Sequence, residues 1–190
     1  MLDIIGLVYY TISNIYLLGS FPLHIFEFLD LRTGYAVSDY ALLFDTGLYF
    51  NISSIVTGLL CGLDAITNLK YKKVKKFLYN IHALSAFALV GIGVYPLTGE
   101  VLDINRVLHW FFTLIFITVY PISRLLILRY YNKKVFKKLL LLYLLLMSMS
   151  ILISTYISLK YIAYPEYLMW LALLFVIISS QIVISKKRRK

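Results

Sequence analysis

The sequence has little that would support a soluble enzyme. Cys61 is the only cysteine, which excludes an intrachain disulfide and leaves the redox compartment undetermined. There is no GxSxG nucleophile elbow and no glycine-rich phosphate loop. The first residues lack the basic segment of a cleaved signal peptide, so we expect none. No polar stretch is long enough for a soluble domain, and residues 1–190 are therefore expected to form a single transmembrane domain.

The sequence is rich in apolar residues, and these occur in continuous runs. Hydrophobic residues make up 61% of the chain, and the mean hydropathy is +0.83. The runs are about twenty residues long, the length that crosses a hydrocarbon core of about 30 Å. This pattern predicts an all-α integral membrane protein with a bundle of six transmembrane helices. The expected spans are approximately residues 2–29, 41–66, 78–95, 107–128, 139–158 and 167–185.

The basic residues predict the orientation of these spans. Most of the 19 Lys and Arg residues lie after the second span, after the fourth span and in the C-terminal tail, whereas acidic residues gather in the other loops. The positive-inside rule then predicts a multi-pass protein of the cell membrane with both termini in the cytoplasm. Such clusters attract anionic lipid headgroups, and their placement argues against nucleic acid as a partner. The main topology signals are Lys72, Lys73, Lys75, Lys76, Lys133, Lys134, Lys186, Lys187, Arg188 and Arg189.

The fourth span carries a polar stripe through an otherwise apolar helix. His109, Thr113, Tyr120 and Arg124 follow one another at steps of four, seven and four residues, which return to nearly the same side of a helix. Polar groups are costly in hydrocarbon, so this stripe is expected to face protein or water. In the second span Asn51 and Gly58 belong to a stripe of small and polar residues, and this stripe favours close helix packing.

The ionisable residues outside the basic clusters gather at the predicted outer ends of the spans. Asp45 lies about two turns beyond Asp39 and is expected within the apolar zone. There a carboxylate either serves a site, is protonated, or is hydrogen-bonded to a Tyr or Ser of a neighbouring helix. We predict a ligand-binding cluster on the outer face, between the first four spans, formed by Asp39, Asp45, Asn51, Glu100 and His109. The sequence assigns no catalytic residue.

Metal and haem sites are the alternatives for the same histidines. His24, His109 and Asp39 would supply three zinc ligands, and His24 with His109 would hold a b-type haem from opposite helices. No HxxxH or HxxE spacing supports either arrangement. We therefore predict no cofactor, and zinc and haem stay as alternatives.

Several short motifs together carry a family resemblance. They are the segment 35–40 with Ser38-Asp39, then Phe50-Asn51 with Gly58, then Tyr95-Pro96 with Glu100, and finally His109 at the start of the fourth span. In this order they resemble the prokaryotic membrane family known as domain of unknown function 998, which is distantly similar to eukaryotic six-span proteins of the Frag and DRAM type. The chain departs from the family pattern at Tyr95, where Phe is usual, and at Tyr40-Ala41, where Leu-Gly is usual.

The resemblance covers all six spans and implies a six-helix bundle with polar residues on its outer face. It implies no established activity, although the eukaryotic relatives are associated with lipid remodelling and trafficking. Our leading hypothesis is a polytopic membrane protein whose outer polar pocket binds or handles membrane lipid. The alternatives are a metal-assisted membrane lipid hydrolase or transferase, and a structural subunit that joins other membrane subunits in a larger complex. The sequence does not decide whether the protein is an enzyme.

Overall fold

The computed structural model describes residues 1–19, 47–67, 74–95, 103–156 and 163–188. Within these residues the chain is helical apart from short caps and connections, and they contain no strand. The predicted all-α fold is therefore confirmed for the described chain. The six helices are α1 (Leu2–Gly19), α2 (Gly47–Thr67), α3 (Lys76–Val94), α4 (Ile104–Tyr131), α5 (Lys133–Tyr156) and α6 (Ala163–Arg188).

Five of these helices, α2 to α6, are long and apolar enough to cross a membrane. Large apolar side chains also point outward along them; Phe77, Leu84 and Leu141 are each about 70% exposed. A surface of this kind suits lipid and not water. The chain is therefore a multi-pass membrane protein. In α1 the apolar stretch Leu2–Ser13 is shorter, and residues 20–29 of the predicted first span lie outside the described residues.

Several helices extend past the predicted spans because hydropathy detects only their apolar part. The clearest case is α5, which begins at Lys133 and so includes a basic first turn. The side chain of Asn132 accepts hydrogen bonds from the N–H groups of Lys134 and Val135, each at 3.1 Å. This cap satisfies donors that the first turn of a helix leaves unpaired, which starts the helix before the apolar run.

The helices pack mainly against their neighbours in sequence, and α4 also contacts α6. Glycines allow the closest approach, between α2 and α3. A Cβ atom on Gly58 would lie 2.7 Å from the backbone nitrogen of Val90, and one on Gly93 would lie 2.5 Å from the carbonyl oxygen of Asn51. Both distances are shorter than real contacts, so neither position accepts a side chain unless the helices separate. The structure thus places Gly58, part of the predicted stripe, at a helix contact.

The two ends of the bundle differ in charge. At one end lie the exposed lysines that begin α3 and α5 and end α6, and we call it the basic end; the described ones are Lys75, Lys76, Lys133, Lys134, Lys186 and Lys187. The other end, where α2, α4 and α6 begin, we call the far end. Arg188 is the last residue of α6, and Lys72, Lys73 and Arg189 lie outside the described residues. This clustering agrees with the predicted topology signals, while the cytoplasmic location of the basic end remains a prediction.

A proline interrupts the hydrogen bonding of α4 near its middle. Pro121 has no N–H group, so the carbonyl of Ile117, four residues earlier, loses its helical donor. The hydroxyl of Tyr143 on α5 donates to that carbonyl at 2.6 Å. An unsatisfied carbonyl is expensive in a membrane-spanning helix, and this bond therefore lets α4 continue through Pro121 while joining it to α5.

Candidate functional site

The polar stripe on α4 faces the interior, as predicted. His109 is 3% exposed, Tyr120 is 0% exposed and Arg124 is 2% exposed. Thr113 is half-buried, with its Oγ1 atom enclosed. The stripe runs from the far end to the basic end, so α4 carries polar groups into two separate parts of the bundle.

At the far end the structure describes two of the predicted ligand-binding residues, His109 and Asn51. Asp39, Asp45, Glu100 and His24 lie outside the described residues, and their roles remain predictions. The start of α4 is fixed by Asp103, whose side chain accepts a hydrogen bond from the N–H of Asn105 at 3.0 Å. This cap sets where the helix begins and therefore the direction in which His109 points.

The carbonyl oxygen of Tyr95, at the end of α3, lies 2.9 Å from Nδ1 of His109. A carbonyl only accepts, so Nδ1 carries the proton in this bond. In the neutral ring that assignment makes Nε2 the acceptor. The bond thus fixes both the tautomer and the orientation of a histidine that is almost fully buried.

A series of aromatic rings connects His109 with α1 and α6. The ring centroid of Phe50, the residue before Asn51 on α2, is 6.3 Å from that of His109. The ring of Tyr10 on α1 is 6.1 Å from Phe50 and 4.7 Å from Trp170 on α6. A series of neighbouring rings therefore links His109 on α4, through Phe50 on α2 and Tyr10 on α1, to Trp170 on α6.

One polar atom next to His109 has no partner. Thr113 lies one turn further along the same face of α4, and its buried Oγ1 finds no hydrogen-bond partner in the described structure. A buried hydroxyl without a partner is uncommon in native proteins, and it often marks the position of a water molecule or a ligand.

The described residues do not provide a metal site. They contain no group of three or more His, Cys, Asp or Glu side chains that could hold an ion. The predicted zinc set includes His24 and Asp39, and the predicted haem pair includes His24, all of which lie beyond the described ranges. Both alternatives stay predictions.

A second polar cluster lies at the basic end, and sequence reasoning missed most of it. Asp3 on α1 is fully buried, and its Oδ2 is 3.0 Å from Nη2 of Arg124. Nε of Arg124 donates to the hydroxyl of Ser180 on α6 at 2.9 Å, and its Nη2 also donates to Gln181. Arg124 thus joins α1, α4 and α6 in the interior.

Asp64, near the end of α2, completes this cluster. Its Oδ1 accepts a hydrogen bond from the N–H of Leu2 at 3.1 Å and contacts the α-amino group of Met1. That amino group also lies 3.1 Å from Asp3 Oδ1. Carboxylates are favoured at a helix N-terminus, where N–H groups lack intrahelical acceptors. The sequence signal was that Asp3 and Asp64 each interrupt an apolar run.

His82 on α3 lies beside this cluster but bonds elsewhere. Its Nδ1 is 2.8 Å from the hydroxyl of Ser123, and its ring stacks on Tyr120 at 4.3 Å. The Ser123 hydroxyl donates to the carbonyl of Tyr120 at 2.8 Å, so it acts as the acceptor toward His82. This arrangement satisfies a core histidine and does not activate the serine as a nucleophile.

Comparison with known proteins gives a family but no activity. No curated protein and no solved structure matches the chain. A family model described as "Protein of unknown function (DUF998)" matches residues 31–181, which include α2 to α5 and most of α6. The resemblance seen in the sequence is therefore confirmed, and the chain belongs to this family.

Proposed function

We propose that this membrane protein binds and handles lipid, and that the headgroup binds at the far end of the bundle beside His109. The main observation in support is His109 itself, a polar ring almost fully buried among aromatic side chains and oriented by the Tyr95 carbonyl. A polar residue at this depth is a functional-site hypothesis by default. His109 lies in the second turn of a helix long enough to span a membrane, and near such a helix end we expect lipid headgroups, not acyl chains.

The chemistry of the site suits a neutral or zwitterionic headgroup with hydrogen-bonding atoms. In its neutral form the His109 ring carries an acceptor at Nε2, and the Thr113 hydroxyl both donates and accepts. Burial of that hydroxyl without a partner costs free energy, which a ligand oxygen or nitrogen would offset. Asn51 follows Phe50, whose ring centroid lies 6.3 Å from that of His109, and we include its amide as a further contact. Asp39, Asp45 and Glu100 belong to the proposal as further contacts.

Native mass spectrometry of the purified protein, with metal content measured in the same samples, tests this function. The variants are His109→Ala, Thr113→Val and, as a matched control, His82→Ala, which removes a buried histidine near the basic end. Thermal unfolding followed by Trp110 and Trp170 fluorescence checks that each variant is folded. We expect wild type and His82→Ala to retain a lipid that His109→Ala loses and that Thr113→Val holds several-fold more weakly.

Two outcomes would reject the proposal. Equal lipid retention by folded wild type and His109→Ala would show that the headgroup lies elsewhere. A stoichiometric metal in wild type that is lost in His109→Ala would favour the metal-assisted hydrolase or transferase in its place.

A further inference from the structure

The far end of α3 carries two glycines that contact different helices. Gly93 faces α2, where a Cβ atom would meet the carbonyl oxygen of Asn51. Gly91, two residues earlier, faces α4. A Cβ atom on Gly91 would lie 2.6 Å from both Cγ and Cδ2 of Phe112, and 2.8 Å from its Cδ1. These atoms are at the base of the side chain, close to the α4 backbone, so a small rotation of the ring does not remove the clash. The Phe112 ring therefore rests on α3 at a position that only glycine allows.

The residue that orients His109 contacts the same ring. The ring of Tyr95 stacks on that of Phe112, with centroids 5.7 Å apart and planes inclined by 13°. The backbone N–H of Tyr95 donates to the Gly91 carbonyl at 2.9 Å, so Tyr95 lies one helical turn beyond the glycine. On α4, His109 precedes Phe112 by three residues, and side chains at this spacing are neighbours on a helix. The hydrogen bond from His109 to the Tyr95 carbonyl therefore joins the same two helices, beside the contact of Gly91 with Phe112.

The hydrogen bond between these helices tolerates little separation. It measures 2.9 Å from Nδ1 of His109 to the carbonyl oxygen, and a distance of about 3.6 Å no longer counts as a hydrogen bond. Its margin is therefore about 0.7 Å. Carbon atoms pack at about 3.5 Å or more, so a methyl group at Gly91 would force the Phe112 ring away by about 0.9 Å. Because the clashing ring atoms lie next to the α4 backbone, the helix moves with them, and a shift of this size is sufficient to break the bond.

We propose that Gly91 is a positioning residue for His109. By letting the Phe112 ring rest on α3, it brings the Tyr95 carbonyl within hydrogen-bonding distance and so decides that Nδ1 of His109 carries the proton. Gly91 has no side chain with which to bind a ligand, so it acts only through the histidine. The inference rests on the proposed function for its consequence, which is how His109 is presented to a lipid headgroup. The effect on the His109 ring itself is independent of any lipid.

Solid-state NMR of the full chain tests this role, because protonated and unprotonated ring nitrogens of histidine give well-separated ¹⁵N signals. The samples carry ¹⁵N-histidine and are reconstituted in bilayers of phosphatidylethanolamine and phosphatidylglycerol. They are measured at about pH 8, where histidine is ordinarily neutral. The spectrum of His109→Ala assigns the His109 signals. The test variant is Gly91→Ala, and thermal unfolding confirms that each variant is folded.

Gly62→Ala is the matched control. Gly62 is a glycine of α2 whose Cβ atom would lie 2.7 Å from Cζ of Phe87 on α3, so it also supports a phenylalanine ring of a neighbouring helix. Alanine is favoured over glycine in the interior of a helix, and both variants share this gain. A second variant, Gly91→Ala with Phe112→Ala, removes every ring atom that the new methyl group would meet.

In wild type and in Gly62→Ala we expect the proton on Nδ1 of His109. In Gly91→Ala we expect about half or more of the His109 signal to move to the form protonated at Nε2, because the acceptor that favours Nδ1 is lost. The lipid retained by Gly91→Ala, measured by native mass spectrometry, should fall about fivefold, the effect of one lost hydrogen bond. The double variant should return the proton to Nδ1.

Three results would overturn the role of Gly91: a proton on Nε2 of His109 in wild type, a proton kept on Nδ1 in folded Gly91→Ala, or an equal displacement in Gly62→Ala. If Gly91→Ala does not fold, the double variant decides. A folded double variant with the proton on Nδ1 supports the role, and any other result for it overturns the role. A changed His109 signal in Gly91→Ala without loss of lipid would support the positioning role and reject the headgroup site.

Discussion

Replacement of Arg124 by glutamine removes the guanidinium group that contacts Asp3 and Ser180. The Asp3 carboxylate then stays buried at 0% exposure without its principal counter-ion. Its Oδ1 keeps the Ile4 N–H at 2.8 Å and the α-amino group of Met1 at 3.1 Å, so the carboxylate retains one hydrogen bond and a second positive charge. Arg124→Gln should therefore destabilise the protein through the charge left behind and not through lost packing.

The expected magnitude follows from the burial of both partners. Breaking a buried ion pair from one side costs about 3–5 kcal/mol, and the remaining contacts of Asp3 with Ile4 and with the α-amino group of Met1 place this case at the lower end, about 3 kcal/mol. For a chain of this size a change of 1 kcal/mol moves the unfolding temperature by about 2–4 °C, so we expect a fall of about 6–12 °C. The double variant Asp3→Asn with Arg124→Gln removes both charges of this pair and should recover about 2 kcal/mol.

Thermal unfolding in detergent, followed by intrinsic tryptophan fluorescence, measures these differences. Arg129→Gln is the matched control, because Arg129 lies on the same helix but is exposed, with its guanidinium 5.9 Å from the Phe136 ring. Its replacement should cost at most about 1 kcal/mol. The reasoning fails if Arg124→Gln is no less stable than Arg129→Gln. It also fails if the double variant loses more unfolding free energy than the sum of the losses of Asp3→Asn and Arg124→Gln.

Two further predictions concern helix packing. Tyr143→Phe removes the donor to the Ile117 carbonyl and should lower the free energy of unfolding by about 1–2 kcal/mol. In a Pro121→Ala background the helix supplies its own N–H to that carbonyl, so the same change should cost clearly less; equal costs in a thermal double-mutant cycle would contradict the assignment. Gly93→Ala places a methyl group 2.5 Å from a backbone carbonyl oxygen of α2 and should lower the free energy of unfolding by about 1–3 kcal/mol. Gly6→Ala has its nearest contact at 3.1 Å and should cost less. If Gly6→Ala had the lower unfolding temperature, the α2–α3 contact at Gly93 would not be tighter than the α1–α2 contact at Gly6.

The parts of this protein that could be predicted from sequence are those with a local signal. Apolar runs of membrane-spanning length predicted the helices. A helical repeat of polar residues predicted that His109, Tyr120 and Arg124 face inward. The positions of the lysines between the apolar runs predicted that they lie at helix ends. The family was suggested by short motifs in a fixed order along the chain, such as those at Asn51 and His109, and a family model that matches residues 31–181 confirmed it. Each of these inferences needs only residues that are neighbours in sequence or on one helix face.

The cluster at the basic end shows what such reasoning does not reach. Asp3, Asp64 and Arg124 each stand out in sequence as charges within or beside apolar runs, but no local pattern says that they meet. Likewise, Pro121 predicts that a carbonyl needs a donor without naming Tyr143. These contacts depend on the order of the helices around the bundle and on their positions relative to one another along the bundle axis.

The sequence by itself therefore determined that the chain is a helical membrane protein, which face of α4 is buried and which ends of the helices are basic. Only the tertiary structure decided that Arg124 bridges α1 and α6, that Phe50 and the Tyr95 carbonyl meet His109, and that α1 packs closely on α2. The physical reason is that hydrophobicity and helical periodicity act within one segment. Helix order, in contrast, depends on which surfaces approach most closely, at glycines such as Gly58, and on which buried charges find a partner.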